Sequence, residues 1–351
     1  TADLLRPGHA DFTAYAKYHG FQDARGGGHF SGRVTAALVA GGAVVLGALS
    51  RAGIDISTHI AACAGISDTR FALDDAAALA AQVESLVGKP EGFAVLDPAV
   101  EEPMKAAIRA AGADGDSVGG VIRCTVSGLP AGLGGPDWRD TVEGTIARHV
   151  FAIPAVKAIG FGAGETFAQM RGSAANDPFT VARGAVRTAT NHAGGVNAGV
   201  TNGMDVVFDV TFRPTPSIAK EQRTVDLYTM TETTISVSGR HDACIALRAA
   251  PAVESAAALA VCQLLPDVPS DLNGLRQRLD ETDAAILELF DRRQRLSAAI
   301  GAYKSAHGLP VRDKAREAEV LRTRGDMLPE RRDQAERLMT LLMALSREEQ
   351  A

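Results

Sequence analysis

Two hydrophobic patterns divide the chain. From the start to about residue 265, short β-branched runs alternate with stretches rich in Ala and Gly. Runs such as "GGVIRCTV" and "DVVFDVTF" have the composition of strands. "RVTAALVAGGAVVLGALSRAG" and "AVESAAALAVCQLL" read as helices. Together they predict an α/β or α+β domain over residues 1–265. "PDVPSD", Pro266–Asp271, follows with two prolines, two aspartates and a serine. This is a linker over 266–271, and Ser270 or Asp271 can cap what comes next.

Beyond the linker, over residues 272–351, the period changes. Leu272, Leu275, Leu279, Ile286, Leu287, Leu289, Phe290, Leu296 and Ile300 recur mainly at a 3.6-residue spacing, with strong helix formers between them. The pattern predicts one helix of about 35 residues, about 50 Å long at 1.5 Å per residue. Gly308 and Pro310 end it. A second, shorter helix is expected from about Asp313 to Gly325, and a third from about Pro329 onward. Two short partners do not cover so long a helix, so its apolar face is expected to pair with a second copy.

Composition narrows the function. A net charge of -6 argues against general affinity for nucleic acid. Cys63, Cys124, Cys244 and Cys262 are scattered, with no CxxC and no Cys/His pair at metal spacing. Free thiols in a reduced, cytoplasmic setting are expected, and no metal site. No uninterrupted apolar run reaches the ~18 residues of a membrane span.

The charges of the tail have an order of their own. Arg293 and Lys304 lie eleven positions apart, so on a wheel of 100° per residue they share a face to within about 20°. Arg276 is seventeen positions before Arg293 and falls about 100° away. Asp313, Arg316 and Glu317 share one face of the second helix, and Ser346 and Gln350 form an i, i+4 pair on the third. Spacing alone also fits a helical hairpin with solvated charges. The stretches "LRQRLDETDAAILELFDRR", "YKSAHGLPVRDKARE" and "SREEQ" go further: they resemble the all-helical class of chorismate mutase.

The resemblance implies a three-helix domain that rearranges chorismate to prephenate. Arg276 and Arg293 would bind the two substrate carboxylates, with Arg316 in support. Lys304 would reach a carboxylate and the ether oxygen. Asp313 and Glu317 would hold the hydroxyl side, and Ser346 and Gln350 would close the site. In this family the first-turn arginine crosses from the partner chain, as the misfit of Arg276 on the wheel requires. The reaction needs no nucleophile, metal or proton shuttle. It needs a clamped dianion and donors aimed at the breaking ether bond.

The first domain carries glycine-rich and turn-rich motifs that are individually weak. "ARGGGHFSGRVTAALV" places three glycines and a polar run before a helix, where backbone N–H groups can meet a phosphate. It is neither GxGxxG nor GxxxxGK[ST]. Taken in order, "LLRPGHADFTAYAKY", "DARGGGHFSGR", "DGDSVGGV", "SGLPAGLG", "IPAVKAIGFGAG", "MRGSAANDPF", "TNHAGGVNAGVTNG", "RPTPSIAKEQRTVDL" and "GRHDACIALRAAPAVE" closely resemble chorismate synthase. The family makes chorismate by expelling phosphate from 5-enolpyruvylshikimate 3-phosphate with reduced FMN and no net redox change.

That resemblance implies a β-α-β sandwich and a set of site residues. His9 would lie beside the flavin, and Arg33 would bind substrate. His29, Phe30 and Ser31 would line the flavin, as would Pro154, Ala155 and Ala198 through backbone. Arg213, Pro214, Thr215, Pro216 and Ser217 would hold its phosphate and ribitol, with Arg240 paired to it. Asp242 would help to remove the C6 proton. A histidine and an aspartate near one ring system supply acid and base. Two departures stand out. Many members have "GGGRSSAR" where this chain has "GGGHFSGR", which leaves one fewer permanent cation. The family also begins with a segment bearing "GESHG" and several arginines, which is expected to precede Thr1. The whole is expected to be a bifunctional shikimate-pathway enzyme, a homotetramer with paired mutase tails. The alternative is a synthase whose helical tail senses chorismate or prephenate and dimerises.

Overall fold

The computed structural model describes residues 3–23, 27–86, 93–182, 184–239, 241–266 and 272–350. Arg240, Ser270 and Asp271 lie outside the described residues, as do most of the linker and the side chain of Gln350. The chain forms two compact units, Thr1–Leu265 and Pro266–Ala351.

The first unit holds helices α1 (Asp11–Tyr18), α2 (Thr35–Arg51), α3 (Ala76–Leu86), α4 (Glu101–Ala113), α5 (Val142–Val150), the single turn α6 (Gly172–Ala175) and α7 (Ala246–Leu264). Its strands are β1 (Asp55–Cys63), β2 (Ile66–Ser67), β3 (Gly120–Ser127), β4 (Val156–Phe161) and β9 (Val206–Phe212). Three two-stranded pairs complete it: β5 (Phe179–Ala182) with β6 (Ala185–Thr188), β7 (Val196–Asn197) with β8 (Val200–Thr201), and β10 (Gln222–Asp226) with β11 (Thr231–Ile235). The main sheet is antiparallel in the order β2-β1-β3-β9-β4.

Alternation along β9 explains the layering. Val206, Phe208, Val210 and Phe212 join the main core with Ile122, Cys124 and Val126 of β3. The odd positions face the other way: Val207 packs with Phe71, Leu79 and Val83, and Asp209 pairs with Arg123 of β3 at 2.5 Å. On the core side α7 lies against β1, β3, α2 and α5. Ala246, Ala249, Ala252, Val253, Ala256, Ala257, Ala260 and Val261 are all buried, so small apolar residues cover most of the α7 circumference.

The segment Gly32–Arg51 is, by length and composition alone, apolar enough to cross a membrane, at a mean hydropathy of 1.7. Arg33 and Arg51 bracket its uninterrupted stretch, which falls just short of a span. In this fold α2 packs on α7, with Gly42 against Ser255 so closely that a Cβ there would meet the Ser255 backbone.

The second unit is α8 (Leu272–Ala306), α9 (Lys314–Gly325) and α10 (Arg332–Gln350), with α10 packed on both others. Gly308, at φ 64°, turns the chain after α8, and the Leu309 N–H donates to Lys304 O at 2.9 Å. The Asp313 carboxylate caps α9 by accepting the Arg316 N–H at 3.0 Å.

Candidate active sites

In the first unit the segment "RPGHAD" makes a turn before α1. Gly8 has φ 72°, and the His9 N–H donates to Arg6 O at 3.1 Å. The Arg213 Nη1 donates to Gly8 O at 2.6 Å, and a side chain at Gly8 would collide with that guanidinium. The Arg213 backbone N–H donates to Ala155 O at 3.0 Å. One arginine thus ties together three predicted segments, those around His9, Ala155 and Arg213. Ala155 and Ala198 both hold left-handed backbone, at φ 73° and 51°. That conformation costs an L-residue about 1–2 kcal/mol.

A second set of contacts reaches Asp242. Ser117 Oγ donates to Thr215 O at 2.7 Å, and the neighbouring Val118 N–H donates to Ala243 O at 2.8 Å. The Asp242 Oδ2 lies 3.4 Å from Arg248 Nη1. Behind it, Cys244 and Cys63 are buried with their sulfurs 3.5 Å apart. The hydrogen bond from Cys63 holds the Cys244 thiol down to about 7, and the N–H groups of Ala246 and Leu247 at the start of α7 add to this. Ser217 is buried, and Ser31 Oγ accepts the Arg33 N–H at 3.2 Å. Pro214 Cδ and the Phe212 carbonyl crowd Gly119, where no Cβ would fit. The Arg33 side chain has no hydrogen-bond or ion-pair partner among the described residues.

His9, His29 and Phe30 share the wall of a cavity of about 590 Å³, together with Asp11, Tyr15 and Gln22. Arg33, Pro154, Ala155, Ala198, Arg213 to Ser217 and Asp242 are not in that wall. Among the buried polar atoms that lack a hydrogen-bond partner in the described residues are Gln22 Oε1, on a cavity-lining residue, and Thr215 Oγ1. Sequence reasoning missed Arg6, Asp11, Gln22, Ser117 and Arg248. Arg6 and Asp11 flank His9 within a quoted motif, and that was the available signal.

In the second unit Arg293 and Ser346 meet. Arg293 Nη1 donates to Ser346 Oγ and, at 2.7 Å, to Leu342 O. Lys304 Nζ donates to Val311 O at 2.6 Å, just ahead of Asp313. Glu317 is held from two sides, by Arg347 Nη1 at 2.5 Å and Arg312 Nε at 3.3 Å. Arg316 turns instead to Glu319 at 2.5 Å. Arg276 is exposed and has no partner among the described residues. Arg312 and Arg347 were missed, although Arg347 follows Ser346 directly. Among the described residues no group of three or more His, Cys, Asp and Glu could hold a metal ion.

An antiparallel sheet backed by a buried helix and joined to a three-helix unit narrows the class, and comparison with known proteins settles the family. Residues 1–265 match the family model described as chorismate synthase, and residues 275–351 the one described as chorismate mutase type II. A chorismate synthase of Dehalococcoides mccartyi is 42% identical over 264 residues, covering 75% of this chain and 70% of that protein. The chorismate synthase of Chitinophaga pinensis is 44% identical over 263 residues, covering 75% and 68%. That of Thermococcus gammatolerans is 42% identical over 260 residues, covering 74% and 70%. A solved structure titled "Crystal Structure of Chorismate Synthase" shares the fold, with a TM-score of 0.61 at 23% identity, over 78% of this chain and 75% of that one. The chain belongs to the chorismate synthase family and carries a type II chorismate mutase domain after it. It is a bifunctional enzyme of the shikimate pathway, a lyase joined to an isomerase.

Proposed function

We propose that the first unit eliminates phosphate from 5-enolpyruvylshikimate 3-phosphate with reduced FMN, and that the second turns the resulting chorismate into prephenate. The orphaned Thr215 Oγ1 carries the flavin reading, because it sits beside Arg213, the residue that joins three of the predicted flavin segments. A ribityl or phosphate oxygen would satisfy it. The residues fit the group in other ways too. The cavity beside His9 has the volume of a small-molecule site, and the strained Ala155 and Ala198 backbone is the kind found where ligands are clamped.

When bound, reduced flavin supplies electron density that assists loss of phosphate. The chain's own residues do the rest. Arg213 and the 214–217 turn hold the cofactor's anionic end, with Arg240 as its partner. Arg33, with no partner of its own, is left to meet substrate. His9 takes or gives a proton at the ring system, and Asp242 accepts the C6 proton. Ser31, His29 and Phe30 position the ring.

In the second unit Arg293 clamps one carboxylate and Arg276 of a second copy the other. Lys304 reaches a carboxylate and the ether oxygen, and Gln350 closes the site. Glu317 and Asp313 take the hydroxyl, Arg316 supports, and Ser346 orients Arg293. The enzyme works in the cytoplasm as a homotetramer, with its mutase tails paired in twos. The free cysteines support the compartment, and the open apolar face of α8 supports the pairing.

Titration of the full chain with FMN tests the flavin reading. Binding is expected, tightened by the phosphorylated substrate. Thr215→Val is expected to weaken it about 10-fold, the loss of one hydrogen bond to a ligand. No flavin binding, in a chain that includes any residues before Thr1, rules the reading out.

A further inference from the structure

We propose that Asp11 and Arg6 are positioning residues for His9, the carboxylate fixing the imidazole with its proton on Nδ1 and its lone pair on Nε2. The catalytic meaning of this arrangement rests on the proposed role of His9. The geometry does not.

The arrangement grows from six residues of chain, Arg6 to Asp11. The turn over Gly8 brings His9 back toward Arg6, and α1 begins at Asp11. Asp11 Oδ2 accepts the Arg6 backbone N–H at 2.9 Å and its Nε–H at 2.8 Å. Asp11 Oδ1 accepts Arg6 Nη2 at 2.7 Å and faces His9 Nδ1, also at 2.7 Å. This is a forked arginine grip in which Oδ1, with two lone pairs, serves both the guanidinium and the histidine.

The tautomer follows from donor and acceptor counting. An ionised carboxylate only accepts. A nitrogen 2.7 Å from it must therefore carry a hydrogen. Arg6 Nη2 is also 3.2 Å from Nδ1, and a guanidinium only donates, so it could serve a bare Nδ1. That alternative would set two lone pairs against each other at the shorter distance. The shorter distance decides. Nε2 makes no hydrogen bond to a described residue, and His9 lines the cavity of about 590 Å³.

The charges agree. Burial pushes the Asp11 carboxyl up, but the hydrogen bonds from Arg6 and the nearby His9 outweigh it and leave it below its ordinary value. For His9, burial acts first and lowers the value, with the charge of Arg6 adding to it. Asp11 pulls upward, and Arg213 lowers. The net is below the ordinary histidine range, so at neutral pH the ring is uncharged and Nε2 offers a lone pair. Asp3, Tyr15, Tyr18, Asp23 and His29 are the other titratable groups of the cavity wall. After Nε2 takes a proton, Asp11 steadies the imidazolium, and Arg6 keeps it acidic enough to give that proton up.

The test uses the full chain labelled with ¹⁵N-histidine. Two-bond ¹H–¹⁵N spectra at neutral pH, with His9 assigned by its loss in His9→Gln, should show hydrogen on Nδ1 and a bare Nε2. A titration should then move His9 in opposite directions in two variants. Asp11→Asn removes an upward pull and should lower the value by about one pH unit, and Arg6→Gln should raise it by about as much. Asp11→Glu, which keeps the charge, should recover most of the wild-type value. The pH limb of synthase turnover should follow each shift. Hydrogen on Nε2 in the wild-type chain overturns the proposal without any variant. So does a titration in which both substitutions move His9 the same way or leave it in place. Full synthase turnover by His9→Gln, with the tautomer as expected, would remove the catalytic reading of His9 and leave the Asp11–Arg6 geometry standing.

Discussion

Helices α7 and α8 are both legible as helices in sequence and meet opposite fates. α7 has ten buried residues in nineteen, surrounded by sheet and by α2 and α5. α8 is nearly twice as long, and Leu279 and Leu287 on it are 60% and 66% exposed. Ile286, Leu289, Leu296, Ile300 and Tyr303 are exposed as well. α7 is small-residue rich, so strands and helices approach it from every side. α8 bears large aliphatics on a face that α9 and α10 are too short to cover. This row of exposed leucines is the face that the proposed pairing of tails would cover. The first unit encloses its apolar residues, whereas the second leaves many of its largest ones exposed.

The largest test of this contrast is a charge placed in each helix. Val253→Asp on α7 buries an unpaired carboxylate at a position with no exposure. It should cost several kcal/mol, a large share of a domain's stability, and calorimetry should lose the first unit's transition. Leu287→Asp on α8 should leave helicity intact, halve the mass of the tail-paired species in light scattering and stop mutase turnover. Unchanged mass and turnover in Leu287→Asp would mean that the α8 face is no interface.

A sharper version asks whether the second copy also supplies chemistry. Arg276→Ala and Arg293→Ala should each be inactive as mutases. Mixed dimers should regain one intact site, because both lesions then fall in the other site. Light scattering would report whether mixed species form. If they form and no turnover returns, Arg276 acts within its own chain.

The same contrast explains what the sequence made legible. The bounds of α8 follow from a sustained period ended by Gly308 and Pro310, and β3 and β9 follow from branched runs that alternate between two faces. Local chemistry suffices for these. The pair β10–β11 was not seen, since "QRTVD" and "TETTI" are polar and half exposed and carry no hydrophobic period. Positive φ at Ala155 and Ala198 was illegible for a different reason, because alanine is the wrong residue for that conformation and only its surroundings impose it. The approach of Cys63 to Cys244 spans 181 residues and depends on the tertiary fold, which no local pattern encodes. Sites were legible as motifs. Partners such as Asp11 for His9 were in view but had no role until distances supplied one. Arg347 is the plainest omission: "SREEQ" was read for its serine and glutamine while the arginine between them holds Glu317.

That arginine gives the smallest expected effect and the finest test of the second unit. Desolvation pushes the Glu317 carboxyl up, but the hydrogen bond from Arg347 and the charges of Arg312 and Arg347 outweigh it, so the carboxyl lies below its ordinary value. The pair joins α9 to α10 at the surface, and surface pairs add little to stability. A depressed carboxyl contributes stability above its unfolded value and loses it as pH falls through the folded one, so only acid melts should differ at all. Turnover is the better probe. In its proposed role Glu317 accepts the substrate hydroxyl more strongly as a carboxylate than as the neutral acid, and a lowered value keeps it ionised further into acid. Arg347→Ala should raise that value and move the acidic limb of mutase turnover to higher pH, with the neutral rate close to wild type. Arg347→Lys should move it less, because a single ammonium keeps the charge without the fork. If the acidic limb stays in place in Arg347→Ala, then Glu317 does not set it, and either its ion pair with Arg347 or its hold on the hydroxyl must be given up.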